Sequence, residues 1–115
     1  MKASDILLKR AEGYANGDFE KVYKLYSSKS ELIEYFRELE QYVEHAEQVQ
    51  SKCSIFKKIL ILEEKSRGNL AQVVCTEYFE EQPENKQIKY LTTSVLSKEN
   101  GEWKILSEKR VEIEA

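Results

Sequence analysis

Glu77 is the side chain of this 115-residue sequence that most invites a chemical reading. It lies in the strand-like run "LAQVVCTEYFEE". A turn at Arg67-Gly68 or Gly68-Asn69 puts it on one face with Leu60, Leu62, Val73, Cys75 and Phe79. A carboxylate in apolar company has its pKa raised and can serve as a general base. Lys58 falls on the same face and offers the competing role, a structural ion pair. His45 is the only histidine. It sits about 110° from the centre of its helix's apolar stripe, so it points to the boundary or to solvent. Asp5 and Asp18, the only aspartates, both stand at helix starts. Glu77 is therefore the one catalytic candidate.

Metal and cofactor chemistry have little to stand on. Cys53 and Cys75 lack the spacing of a zinc site, and no histidine pair accompanies them. They read as free thiols, which suits a cytoplasmic chain. The four glycines form no phosphate-binding loop, and neither a nucleophile elbow nor a zinc-protease helix occurs. The expectation is no metal and no cofactor.

A second group of candidates comes from the C-terminal hairpin. If Asn100-Gly101 are its two central residues, Lys98 faces Trp103, Leu96 faces Ile105, Ser94 faces Ser107, Thr92 faces Lys109 and Tyr90 faces Val111. Paired residues share a face. The inner face then has a polar middle of Thr92, Ser94, Ser107 and Lys109, bordered by Tyr90 and Trp103. An apolar rim around a few convergent polar groups is the usual make-up of a ligand pocket. The competing structural reading has the hydroxyls bonding within the sheet and Lys109 reaching water from its edge.

The elements that must position these residues follow from periodicity. Ser4 and Asp5 open a first helix, with Leu7, Leu8, Ala11, Tyr14 and Ala15 as its stripe. Gly17 ends it and Asp18 caps a second, with Phe19, Val22, Tyr23 and Tyr26 on one side. Ser30 caps a third helix predicted to run to about Gln50, with Leu32, Phe36, Leu39, Val43 and Ala46 at steps of four and three. The period then changes to that of strands: "SIFKKILILEE", "LAQVVCTEYFEE", "QIKYLTTSVLSK" and "EWKILSEKRVEI". The layout is α+β: three N-terminal helices packed on a curved four-stranded antiparallel sheet, one domain over residues 1–115.

Composition narrows the partners. The net charge is −3 and the basic residues are scattered, so nucleic acid is not expected. No run approaches the roughly 20 apolar residues of a membrane span. No signal peptide is visible, which gives a cytoplasmic expectation. "ILIL" in the first strand is apolar on both sides, and Leu91, Val95 and Leu106 fall on the outer face. Helices cover one face of the sheet, so a second subunit on the other is expected, as a homodimer.

Asn16-Gly17-Asp18-Phe19 between two short helices, with Asn100-Gly101-Glu102-Trp103-Lys104-Ile105 in a closing hairpin, resembles the nuclear transport factor 2-like superfamily, whose fold is cystatin-like. The resemblance implies a cone with a pocket between helices and sheet, and dimerisation through the sheet in many members. Members include ketosteroid isomerases, dehydratases, polyketide cyclases and non-catalytic binding domains. The isomerases need an aspartate base and a donor pair in the pocket. With Asp5 and Asp18 at helix starts, no catalytic residue carries over. Members also commonly place short strands before the long helix, where this chain has only "SSKS". The leading expectation is a non-catalytic domain that binds a small, partly apolar ligand or serves assembly. The alternative is a cofactor-free isomerase, dehydratase or cyclase using Glu77 or a pocket tyrosine. A purely structural subunit would show a filled core and an exposed apolar sheet face.

Overall fold

A computed structural model describes residues 1–114. Helices α1 (Ala3–Asn16), α2 (Phe19–Tyr23), α3 (Glu31–Tyr35) and α4 (Leu39–Lys52) precede strands β1 (Ser54–Arg67), β2 (Leu70–Glu81), β3 (Lys86–Glu99) and β4 (Glu102–Ile113). The strands form one antiparallel sheet in the order β1-β2-β3-β4. The bounds of β2 and β4 are those of the runs "LAQVVCTEYFEE" and "EWKILSEKRVEI" read as strands from sequence.

The helix starts and stops follow local chemistry. Gly17 takes the left-handed conformation at φ 68°, where a side chain would clash. Asp18 caps α2 by accepting from the Lys21 amide at 3.2 Å. Gly13 allows a close crossing, because a Cβ there would stand 2.6 Å from Val22 Cγ2. The α1 cap differs from expectation. The helix begins at Ala3, Ser4 is buried inside it, and the Lys2 amide donates to Asp5 Oδ2 at 2.9 Å.

The predicted third helix is two helices. Ser30 does cap α3, accepting from the Ile33 amide. The chain then leaves helical geometry at Phe36, whose ψ is 86°. The carbonyl oxygen of Phe36 accepts from Tyr23 Oη at 2.6 Å, and its ring packs on Tyr42 and His45. A tertiary bond thus replaces a helical one, which periodicity alone does not reveal.

The register holds the main surprise. At the β3–β4 turn, Asn100 and Gly101 have φ of 52° and 80°, the primed hairpin geometry. Pairing runs as expected through Lys98↔Trp103 and Leu96↔Ile105. Then β4 bulges: Val95 pairs with Ser107, skipping Leu106. A one-residue insertion exchanges the two faces of everything beyond it. Thr92 therefore faces Arg110, Ser94 faces Glu108 and Tyr90 faces Glu112. The expected partners Lys109, Ser107 and Val111 lie on the other side. Two more bulges, at Lys57 and Leu62, shift β1 in the same way. Ile59 and Ile61 pair with Glu77 and Cys75 on the inner face, while Leu60 and Leu62 face outward, 48% and 56% exposed.

The core lies between α1, α2, α4 and the inner sheet face. It includes Leu7, Phe19, Val22, Tyr42, Ala46, Val73, Cys75, Leu96 and Ile105. Residues 25–27 run along β4 as a vestigial strand. The Ile105 amide donates to the Leu25 carbonyl at 2.9 Å, and Ser27 donates to the Ile105 carbonyl at 2.8 Å. This covers part of an otherwise open strand edge.

Candidate functional site: a buried charge cluster on the inner sheet face

Arg10 is the residue that α1 sends into the sheet. It lies one turn from Ile6 and Tyr14, on the buried side of the helix, and is 0% exposed. The expected stripe is correspondingly rotated: Leu8 is 45% exposed and Ala15 is also exposed. Opposite Arg10, β2 presents Glu77, likewise 0% exposed. Arg10 Nη2 donates to Glu77 Oε2 at 3.2 Å. Thr92 Oγ1 and Arg110 Nη2 both donate to Glu77 Oε1, at 2.7 and 3.0 Å. Arg10 Nη1 also donates to Tyr26 Oη at 2.9 Å, and Tyr26 Oη donates to Glu108 Oε1 at 3.1 Å. Glu108 is in direct ionic contact with Arg10.

Two arginines and two glutamates therefore meet with no net charge. Burial pushes the Glu77 carboxyl up, but Arg10, Arg110 and the hydrogen bonds from Thr92 and Arg110 outweigh it. Its pKa lies below the ordinary 4.5, so Glu77 is ionised at neutral pH. Burial works against the Arg10 cation, yet the electrostatic contributions of Tyr26, Tyr14 and Glu77 hold its pKa above the ordinary range. Burial raises the Tyr26 phenol, which stays protonated. Cys75, on the same strand face, is pushed up to about 11 by burial and then by Glu77. The Arg110 guanidinium lies over the rings of Phe79 and Tyr90, at 5.3 and 5.4 Å from their centroids, which closes the cluster on that side.

The arrangement limits what Glu77 can do. A general base needs a lone pair directed at a substrate proton. Here both carboxylate oxygens accept from the protein itself, and none of the group's surface is open. Lys58 is not its partner. It pairs in register with Tyr78 on the outer face, where its Nζ sits 4.5 Å from the ring centroid.

The proposed pocket-wall residues divide. Thr92 is fully buried and bonded to Glu77. Ser94 is fully buried, and its hydroxyl has no partner among the described residues. Tyr90 is half-buried beneath Arg110. Trp103 stands at the far end of the inner face, 8% exposed. The bulge turns Ser107 and Lys109 to the outer face, and both are exposed. None of Arg10, Tyr26, Glu108 and Arg110 is a site candidate from sequence: Tyr26 falls on the stripe of the second helix, and alternation along the last strand puts Glu108 and Arg110 on the outer face. His45 is exposed, as its helical position indicates, and Cys53 and Cys75 are separate free thiols. Among the described residues, no group of three or more His, Cys, Asp or Glu side chains is placed to hold a metal ion. None of the described helices is long and apolar enough to cross a membrane.

Residues 5–115 match the family described as the C-terminal domain of the anti-sigma-I factor RsgI9. The chain belongs to that family. No curated protein matches the sequence. Among solved structures, a cystatin-like domain of unknown function from Nostoc punctiforme superposes with a TM-score of 0.74 at 10% identity, covering 96% of this chain and 75% of its own. A ketosteroid isomerase-like protein from Erwinia carotovora atroseptica gives 0.73 at 13% identity, covering 97% and 94%. An NTF-2-like protein of unknown function from Shewanella oneidensis gives 0.67 at 14%, covering 93% of each. The RsgI9 C-terminal family member described here thus has the cystatin-like, nuclear transport factor 2-like fold, and the α+β expectation holds with four helices in place of three.

Proposed function

We propose that the domain is a non-catalytic assembly module that pairs with a second copy of itself through the outer face of its sheet. One observation carries this reading: the charged groups of the inner face pair with one another, while the outer face presents exposed apolar side chains. Leu60, Leu62 and Val111 are exposed, and Leu91, Val95 and Leu106 are half-exposed beside them. They lie on β1, β3 and β4 on the outer side of the sheet, and exposed apolar residues on one face are what a two-fold, self-complementary interface uses. The family takes its name from a domain of an anti-sigma-I factor. On that likeness, this module serves recognition or assembly within a regulator of the same type.

The alternative, a cofactor-free isomerase, dehydratase or cyclase, has Glu77 as its best base. That carboxylate is ionised, fully buried and saturated with donors. Sedimentation equilibrium tests the assembly reading. The expected result is a concentration-dependent dimer that Leu91→Glu converts to a monomer with an unchanged circular dichroism spectrum. A wild-type chain that stays monomeric into the high micromolar range overturns it.

A further inference from the structure

The end of the molecule away from Glu77 holds a cavity of about 280 Å³ between the start of α1, Leu25 and the β3–β4 hairpin. Its apolar lining is Trp103, Leu25 and Ile6, and its charged lining is dominated by Lys9, Lys98 and Lys104. We propose that this cavity is a binding site for a small organic monoanion, a carboxylate or sulfonate carried on an apolar or aromatic body.

Three observations support it. The lysines gather here although the chain as a whole carries −3, so the local positive charge is not a reflection of composition. The one acid of the lining, Glu102, lies 3.7 Å from Lys104, which also donates to the Lys24 carbonyl at 2.8 Å. That pair is self-occupied. Lys9 and Lys98, by contrast, have no ion-pair partner among the described residues. Lys98 Nζ stands 5.6 Å from the centre of the Trp103 ring system, so a cation and an indole face are presented together. An anion can take the ammonium groups while its apolar body lies along Trp103, Leu25 and Ile6. The volume is just below the roughly 300–1,000 Å³ of drug-sized sites, which fits a medium-chain acid or a compact aromatic one. The site is remote from the outer sheet face and does not depend on the assembly reading.

Trp103 is the only tryptophan and lines this cavity, so its fluorescence is a single signal, and the substitutions below locate the probe. The experiment titrates the full chain with 8-anilinonaphthalene-1-sulfonate and, separately, with the uncharged N-phenyl-1-naphthylamine. The expected result is saturable quenching of Trp103 by the sulfonate at one per chain, displaced by decanoate, with the neutral probe at least several-fold weaker. Replacing Lys9→Gln and Lys98→Gln together should weaken sulfonate binding roughly three- to tenfold, the range for two solvent-reached charge contacts. It should leave the neutral probe unchanged. Equal binding of both probes, or no saturable quenching, overturns the proposal. Quenching that survives the lysine substitutions but disappears in Leu91→Glu also overturns it, and assigns the probe to the outer sheet face. The dimer measurement is independent of both titrations, so the two proposals fail separately.

Discussion

The Glu77 cluster and the Trp103 cavity lie on the same side of one sheet and use charge in opposite ways. Around Glu77, one cation and one anion, Arg10 and Glu77, are fully buried and paired, and Arg110 and Glu108 complete the charge balance from the solvent side. Around Trp103, the lysines outnumber the acid, and Lys9 and Lys98 have no ion-pair partner among the described residues. Burial makes the difference. An unpaired charge inside costs several kcal/mol, so it is neutralised by neighbours. A charge at a rim is cheap to leave unpaired, and only such a charge remains free for a ligand. Polar residues facing the interior are therefore not by themselves a sign of a binding site.

The sharpest way to break the contrast is to strip one partner from the cluster. Glu77→Gln leaves the buried Arg10 without its buried anion and frees Arg110 at the rim, and we expect a loss of about 3–5 kcal/mol in urea unfolding. Adding Arg10→Met should make the double variant less damaged than the sum of the two single ones, a coupling that a double-mutant cycle measures.

Acid offers a milder version of the same test. The folded-state pKa of Glu77 is lowered, so its contribution to stability is fully present above the ordinary carboxylate value of 4.5. It is lost as pH falls from there through the folded-state value. Wild-type stability should fall over that acidic range with a steeper slope than that of Glu77→Gln, as read by urea midpoints at successive pH values. A parallel pair of curves would show that Glu77 is not held as described.

Gly13→Ala sharpens the comparison from the helix side. The new methyl meets Val22 and the Asp18 carbonyl, at 2.6 and 3.1 Å, and must push α1 off α2. We expect about 1–3 kcal/mol of destabilisation, the usual cost of overpacking. Smallest of all is the Trp103 end. Lys9→Gln with Lys98→Gln should leave the thermal unfolding free energy within about 0.5 kcal/mol, because neither side chain is buried or paired.

Much of the scaffold was legible from sequence. Gly17 followed by Asp18 marks a helix stop and start, Asn100-Gly101 marks the hairpin, and the run of β-branched and aromatic residues marks β2. The cluster was not legible, for two physical reasons. Arg10 carries a charge, and a hydrophobic stripe drawn from apolar residues alone passes beside it. Yet its spacing from Ile6, Leu7 and Tyr14 puts it on their side of the helix. The bulge at Leu106 adjoins Ile105, whose backbone bonds to residues 25–27, a contact not local to β4. One hint was available: Glu108 and Arg110 are two apart, so they share a face, and they complement the opposite charges of Arg10 and Glu77. Thr92 and Ser94 were placed on the correct face; Ser107 and Lys109 were not.

The bulge also makes β4 a strand with two possible readings. Deleting Leu106 would restore simple alternation, bringing Ser107 and Lys109 inward and sending Glu108 and Arg110 out. A single codon thus separates an interior closed by paired ions from one lined by a hydroxyl and an amine. In a lineage built on this scaffold, the loss or gain of one residue could change what the interior recognises while leaving every helix and turn in place.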